Sequence, residues 1–360
     1  MTRLNRLTAG IPLAVVLATF ALGGLGGLLA YAAGLPLAML LGAMLSTAGA
    51  SMLGLRFGSH KPAVPQKWRF ALVPVLGVAI GASFPHDFLT QARQWWVTIA
   101  ALFVFTPVAH AFGYGLFRKF GRLSPQTAYY AAMPGGFIES LEMGEKSGAD
   151  MTMLIMLQFL RLILCIVLIP IGFSIFEGHV VGSGSGASMG LRDPLTALDT
   201  VVMIALAAGG WFIARTLRLP AAVLSGPLLA SGLAHAAGLT EAVPPFWAIL
   251  ITQWVMGTAL GVRLAGFTKG QAGLAAVLST VNVSGILILA LGIALALSGP
   301  VGQPVSAVIL AFAPGGVSEM SLVALSLNLS AVYVTMHHLF RIVLAVFVAR
   351  FGQRLLPPVA

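Results

Sequence analysis

Stretches of about 20 predominantly apolar residues recur from one end of this chain to the other, beginning with Ala9 to Ala33, and each can cross a hydrocarbon layer about 30 Å thick. Backbone N–H and C=O groups inside such a layer must be satisfied internally, which a helix does along its own length. The composition agrees: 58% of the residues are hydrophobic and 8% are charged, against about 25% charged in soluble domains. An ordinary soluble protein is excluded, and the predicted fold class is an all-α polytopic membrane protein.

Arg3 and Arg6 precede the first apolar stretch, as basic residues do in a signal peptide. That stretch is too long for a signal-peptide core and has a counterpart later in the chain, so it reads as a span. Lys and Arg number 20 against 10 Asp and Glu, a net charge of +10. The basic residues occupy short loops between apolar runs, the pattern of the positive-inside rule. No stretch outside the runs is large enough to fold into a nucleic-acid-binding module, so the expected partners are the lipid bilayer and a small-molecule solute, with no nucleic acid. A homo-oligomer is left open. Cys165 is the single cysteine and lies inside an apolar run, which excludes a disulfide and a thiolate metal site.

The chain is written twice. Met133-Pro134-Gly135-Gly136 returns as Ala313-Pro314-Gly315-Gly316, 180 residues later. At the same offset Glu139 answers Glu319, Gln158 answers His338, Arg161 answers Arg341, and Gly77 with Gly81 answer Gly257 with Gly261. Leu35-Pro36 with Gly42 answers Leu219-Pro220 with Gly226 at an offset of 184, a slip that a loop absorbs. The expected organisation is a first membrane repeat over 1–176, a Gly/Ser-rich linker over 177–194 and a second membrane repeat over 195–360.

Apolar spans are predicted at 10–32, 36–55, 68–84, 94–117 and 150–175, and again at 195–216, 220–237, 245–263, 272–297 and 330–350. Shorter segments at 124–148 and 302–328 carry the Pro-Gly-Gly motifs, and each reads as two half-helices, because proline removes a backbone donor and paired glycines favour a break. Basic residues collect at the N-terminus, between spans two and three (Arg56, Lys61, Lys67, Arg69) and after span four (Arg118, Lys119, Arg122). In the second half they follow span one (Arg215, Arg218) and span three (Arg263, Lys269) and close the chain (Arg350, Arg354), so the register is flipped. With every basic loop cytoplasmic, the layout is ten spans as two inverted five-helix repeats, each with a broken or re-entrant Pro-Gly-Gly segment and with both termini cytoplasmic. If both segments cross instead, there are twelve spans, and Arg215, Arg218, Arg263 and Lys269 lie outside. The expected location is a bacterial inner membrane.

Ionised side chains inside hydrocarbon cost at least about 2.5–3.5 kcal/mol and mark bundle interiors or aqueous cavities. Here they come in duplicate: Arg161 and Arg341 lie mid-span, each three residues after a polar residue on the same helix face, Gln158 or His338. Glu139 and Glu319 each follow a Gly-Gly by three residues, near the start of a second half-helix. Broken helices expose free N–H groups and the positive end of a dipole, which suits an anion. Pro134, Gly135, Gly136, Pro314, Gly315 and Gly316 are therefore candidate solute-binding residues through their backbone. Arg161 and Arg341 would balance solute charge, and Gln158 and His338 would line the site. Glu139 and Glu319 would hold a coupling proton or cation; the alternative is that each Glu pairs with an Arg and merely ties hairpin to span. Glu142, Glu145, Lys146 and Asp150 read as a solvated end of the first hairpin. His337 and His338 are adjacent on a helix and so face different ways, with no third ligand evident, and no metal site is expected. No Walker or dinucleotide fingerprint is present, and no cofactor is implied.

These residues resemble a known family, the AbrB-duplication membrane proteins. The likeness rests on Pro134-Gly135-Gly136 with Gly148-Ala149-Asp150 and Gln158-x-x-Arg161, on Pro314-Gly315-Gly316 with Arg341, and on Leu219-Pro220 ahead of Gly226. It extends over nearly the whole chain. Asn328-Leu329-Ser330 stands where the first half has Gly-Ala-Asp, and His338 where it has Gln. Members are commonly labelled ammonia monooxygenases or regulators of AidB expression, and they are unrelated to the small soluble DNA-binding AbrB regulators. A monooxygenase needs a copper or iron cluster of His and carboxylate ligands, which this sequence does not display, so no enzyme is expected. The plan is similar to that of inverted-repeat secondary transporters with broken helices. The expected function is ion-coupled transport of a small anionic or carboxylate solute, with a membrane sensor or regulator as the alternative.

Overall fold

The computed structural model describes residues 8–35, 37–84, 88–177, 196–264 and 269–357, so Pro36 and nearly all of the 177–194 linker lie outside the described residues. Regular structure among them is helical, apart from an isolated bridge between Phe57 and His60. The helices of the first half are α1 (Leu13–Ala32), α2 (Ala38–Met52), α3 (Gln66–Gly81), α4 (Phe88–Ala92), α5 (Trp96–Lys119), α6 (Pro125–Ala131), α7 (Phe137–Lys146) and α8 (Met151–Glu177). Those of the second are α9 (Ala197–Thr216), α10 (Ala222–Ala236), α11 (Phe246–Gly261), α12 (Lys269–Val301), α13 (Val305–Phe312), α14 (Val317–Ser326) and α15 (Ala331–Gly352).

Six of these helices, α1, α5, α8, α9, α12 and α15, are long and apolar enough to cross a membrane. Helices α2, α3, α10 and α11 are apolar but only 15 or 16 residues long. The four short helices α6, α7, α13 and α14 are the halves of the two Pro-Gly-Gly segments: helical hydrogen bonding stops at Ala131 and Phe312 and restarts at Phe137 and Val317.

The chain forms two compact units, and each takes helices from both halves of the sequence. Unit one comprises α1–α3, α9–α11 and the C-terminal end of α8. In it α1 packs on α2 and α9 on α10, while α3 packs on α10 and α11 on α2, so the third helix of each half joins the other half's pair. Glycines allow these approaches. The space that a side chain would need at Gly42 is filled by the Gly26 backbone and Ala30, and at Gly226 by the Gly210 backbone and Ala214. Likewise Gly77 abuts Leu224 and Pro227, and Gly257 abuts Leu40 and Ala43. The same contact is thus made twice, at the spacing of the sequence repeat. Phe20 stacked on Trp68 and edge-on to Trp254, whose indole N–H donates to the Phe20 carbonyl at 3.0 Å, closes the core beside Val16 and Val255.

Unit two comprises α4–α7, α12, α13, α15, most of α8 and most of α14. Its core is built on residues 128–133 of the first broken segment, packed by Phe117, Leu154, Leu157, Leu278, Ala345 and Ala349. The turns that lead from each broken segment into its long helix are equivalent although their sequences differ. Gly148 and Asn328 both take positive φ, 70° and 53°, and Ala149 and Leu329 each donate back to the preceding helix at 2.9 Å. Asp150 then accepts from the Thr152 and Met153 amides at the start of α8, and Ser330 from the Tyr333 amide at the start of α15. Asn tolerates the left-handed region and Ser caps a helix as Asp does, so the departure from Gly-Ala-Asp keeps both local functions. Asp150 is exposed and caps α8.

Candidate functional site

The two helix breaks lie in unit two, and each has a polar pair aimed at it. A helix C-terminus leaves its last carbonyls without partners and carries roughly half a negative charge. At the end of α6, Gln158 Nε2 donates to the carbonyls of Tyr130 at 3.0 Å and Ala131 at 3.1 Å, and Arg161 Nη1 donates to the Met133 carbonyl. At the end of α13, His338 Nε2 donates to the Leu310 carbonyl at 2.9 Å, and Arg341 donates through Nη1 to Ala313 and through Nη2 to Gly315 at 3.1 Å. The His338 tautomer follows from its partners: with Nε2–H turned to a carbonyl, Nδ1 is left to accept from Arg341 Nη2 at 2.9 Å. Both arginines are buried, Arg161 to 3% exposure and Arg341 to 1%.

The second half-helices start on the far side of each break. Gly136 caps α7 with φ of 69°, a conformation that favours glycine, and Gly316 precedes α14. Glu139 and Glu319 lie in the first turns of α7 and α14. Each carboxylate folds back over its glycine: Glu139 Oε2 is 3.1 Å from where a Gly136 side chain would begin, and Glu319 Oε2 blocks the same position at Gly316. Glu319 is buried and accepts from Ser318 Oγ at 2.9 Å, while Glu139 is half-buried. The carboxylates therefore stand at the positive helix ends and the arginines at the negative ones. The arginines' hydrogen-bond partners are backbone carbonyls and His338, not Glu139 or Glu319.

The two breaks also meet the opposite half's long helix. Gly135 packs on α15, with Arg341 Nε and the Arg341 carbonyl each 3.6 Å from the start of any side chain placed there. At the second break it is Gly316 that meets α8, with Leu162 Cδ2 at 3.6 Å, whereas Gly315, the counterpart of Gly135, abuts Met320 of its own half. Pro134, Gly135, Gly136, Gln158, Arg161 and Glu139 on one side and Pro314, Gly315, Gly316, His338, Arg341 and Glu319 on the other are thus drawn into one region of unit two. Arg161 Nε, Arg341 Nε and Gln158 Oε1 are buried there without a hydrogen-bond partner in the protein.

His337 faces away from His338: its Nδ1 contacts the Tyr333 carbonyl and its Nε2 contacts Thr98 Oγ1, each at 2.8 Å. No group of three metal-ligating side chains occurs among the described residues. Asn282 was not singled out in the sequence, yet it is buried in α12 with its Oδ1 unpartnered, 2.9 Å from where a side chain at Gly113 would begin. An amide in the middle of the longest apolar helix was the available signal, but its counterpart 180 residues earlier is Leu102, so the repeat does not point to it.

Residues 40–357 match a family described as "Transition state regulatory protein AbrB". The chain is 22% identical over 356 residues to "Uncharacterized protein YhjN" of Bacillus subtilis strain 168, a match covering 94% of this chain and 90% of that one. It is 24% identical over 238 residues to "Putative regulator AbrB" of Escherichia coli strain K12, covering 65% of each.

Proposed function

The chain belongs to the AbrB family, and from that premise we propose that it is a secondary transporter, not an enzyme, that carries a small carboxylate across the bacterial inner membrane together with protons. The observation that supports this reading most is the pair of buried arginines whose partners are helix ends. Each guanidinium carries a full positive charge and each half-helix C-terminus offers about half a negative one, so once Glu139 and Glu319 are protonated the local balance favours an anion. The free Nε of Arg341 beside Gly135 and the free Nε of Arg161 are the donors for it.

Glu139 and Glu319 supply the coupling. As carboxylates they occupy the positive ends of α7 and α14, where a solute anion would otherwise bind. Protonation removes their charge and releases the helix N-termini, so solute and proton enter together. In this reading the ten longer apolar helices form two inverted repeats, the Pro-Gly-Gly segments are re-entrant and both termini are cytoplasmic.

A panel of labelled carboxylates of two to six carbons, offered to proteoliposomes with an acidic exterior, tests the proposal. Uptake should collapse when the pH gradient is dissipated. Glu139→Gln and Glu319→Gln mimic the protonated form and should keep binding, read as thermal stabilisation by the carboxylate, while losing gradient-driven accumulation. Absence of both binding and uptake across the panel would overturn the proposal. The regulator name of the Escherichia coli relative favours a second reading, a sensor, which predicts carboxylate binding without uptake.

A further inference from the structure

We propose that unit two carries a binding site for an anionic phospholipid, with one acyl chain in the groove between α5 and α15 and the phosphate held by Arg350 and Arg354. The groove has a volume of about 590 Å3 and is walled by Phe103, Pro107, Phe340, Val343, Phe347 and Phe351. Phe103, Phe347 and Phe351 are each more than half exposed, so the groove opens sideways rather than into the interior.

Its direction and length suit a single chain. Helices α5 and α15 run the same way, because Thr98 near the start of α5 meets His337 near the start of α15. Further along, His110 meets the Tyr129 carbonyl while Tyr129 Oη reaches the carbonyls of Val348 and Ala349. The groove follows α15 from Phe340 to Phe351, about 16 Å at 1.5 Å per residue, close to the roughly 15 Å of one leaflet.

Basic residues gather at one end, while exposed Arg93 precedes α5 at the other. On α15, Val343, Phe347 and Arg350 lie on one exposed stripe, and exposed Arg354 follows in the short 3-10 turn Gln353–Leu355 past the helix end, so the groove wall leads toward two guanidiniums. On α5 the stripe of Phe103 and Pro107 ends at Arg118, which donates one Nη to the Leu123 carbonyl and keeps other donors. Exposed Lys119 and Arg122 follow. The end of α7 comes to the same place, since Tyr130 Oη bonds both Ser147 and Gln353, and it brings Glu142, Glu145 and Lys146. One net negative charge is thus set against five basic side chains. An apolar slot one leaflet deep with five basic side chains gathered at one end fits an amphiphile with one anionic head, and guanidinium forks suit phosphate oxygens. Arg215 in the last turn of α9 and Arg218 just beyond it belong to unit one and serve as the comparison.

The full-length protein, stripped of lipid and then given phosphatidylglycerol or phosphatidylcholine with identical acyl chains, tests the site by counting lipids retained per chain in native mass spectrometry. Phosphatidylglycerol should be retained at least fivefold better. Arg350→Gln with Arg354→Gln should abolish that preference, and Arg215→Gln with Arg218→Gln should leave it intact. Val343→Trp, at an exposed position that tolerates a large side chain, should fill the slot and lower retention of both lipids. Equal retention of the two lipids by the unaltered protein would overturn the proposal, as would equal losses in the two arginine pairs, the result expected of unspecific charge. Unchanged retention in Val343→Trp would overturn it too, as would conversion of a dimer to a monomer by that variant, which would make the groove a contact between two copies.

Discussion

His338 has two duties that can be separated, donation to the Leu310 carbonyl and acceptance from Arg341 Nη2. Its counterpart Gln158 is chemically able to do both, since its Nε2 donates to the end of α6 while its Oε1 is without a partner. His338→Gln is therefore expected to keep the end of α13 closed, with thermal stability in detergent close to that of the unaltered protein. His338→Leu keeps the volume but strands a buried Arg341 N–H and leaves the Leu310 carbonyl with only the Ala313 amide at 3.3 Å, and should lower stability by about 1–3 kcal/mol for the N–H left without a partner. Equal damage from the two substitutions would show that imidazole shape, rather than its donor and acceptor, matters at this position. The pairing of Gln158 with Arg161 and of His338 with Arg341 was legible in the sequence, because a spacing of three places both on one helix face. What they touch was not: their partners are the carbonyls of Tyr130, Ala131, Met133, Leu310, Ala313 and Gly315, and a carbonyl is present whatever the side chain.

Among the helices, the breaks themselves could be read in advance, because a proline and two glycines in an apolar run oppose helix continuation on elementary grounds. The equivalence of the two turns that follow was harder to read. Gly148-Ala149-Asp150 and Asn328-Leu329-Ser330 share no residue, yet both supply a left-handed turn and a helix cap. Backbone geometry was retained while side-chain identity changed. Asn328→Ala should then cost about 1 kcal/mol, since a left-handed conformation costs an ordinary L-residue about 1–2 kcal/mol, whereas Asn328→Gly should be nearly neutral. Ser330→Ala should cost about 1 kcal/mol through the lost cap, and Ser330→Asp, which restores the residue type of the first half, should cost far less. Thermal unfolding of the four variants checks the set. If Asn328→Gly is as damaging as Asn328→Ala, then the Asn side chain, not its backbone, holds the turn.

At the scale of the molecule the duplicated sequence and the compact units divide the chain differently. The repeat is a boundary along the sequence, near the linker, whereas each unit is assembled from both halves, with α3 packed on α10 and α11 on α2. That exchange could not be read from the duplication, because a repeat states which residues are equivalent and says nothing about which copy each packs against. It has a physical consequence. A first half alone would leave Gly77 and Gly81 of α3 without the α10 backbone they fit, and a second half alone would leave Gly257 and Gly261 of α11 without α2. These are close contacts between small residues, and small residues at helix interfaces let backbones approach closely, which drives association inside a membrane through van der Waals packing. Residues 1–176 and 195–360, expressed as separate polypeptides in one cell, should therefore assemble and co-purify through a tag on either, and each expressed alone should be rapidly degraded. Gly77→Leu with Gly81→Leu in the first polypeptide should abolish the co-purification. Leucine at Gly115 and Gly172, which meet open space, should not. Stable accumulation of either half alone as a monodisperse protein would mean that each repeat can close its own contacts, and the exchanged packing of unit one would then not be what holds the halves together.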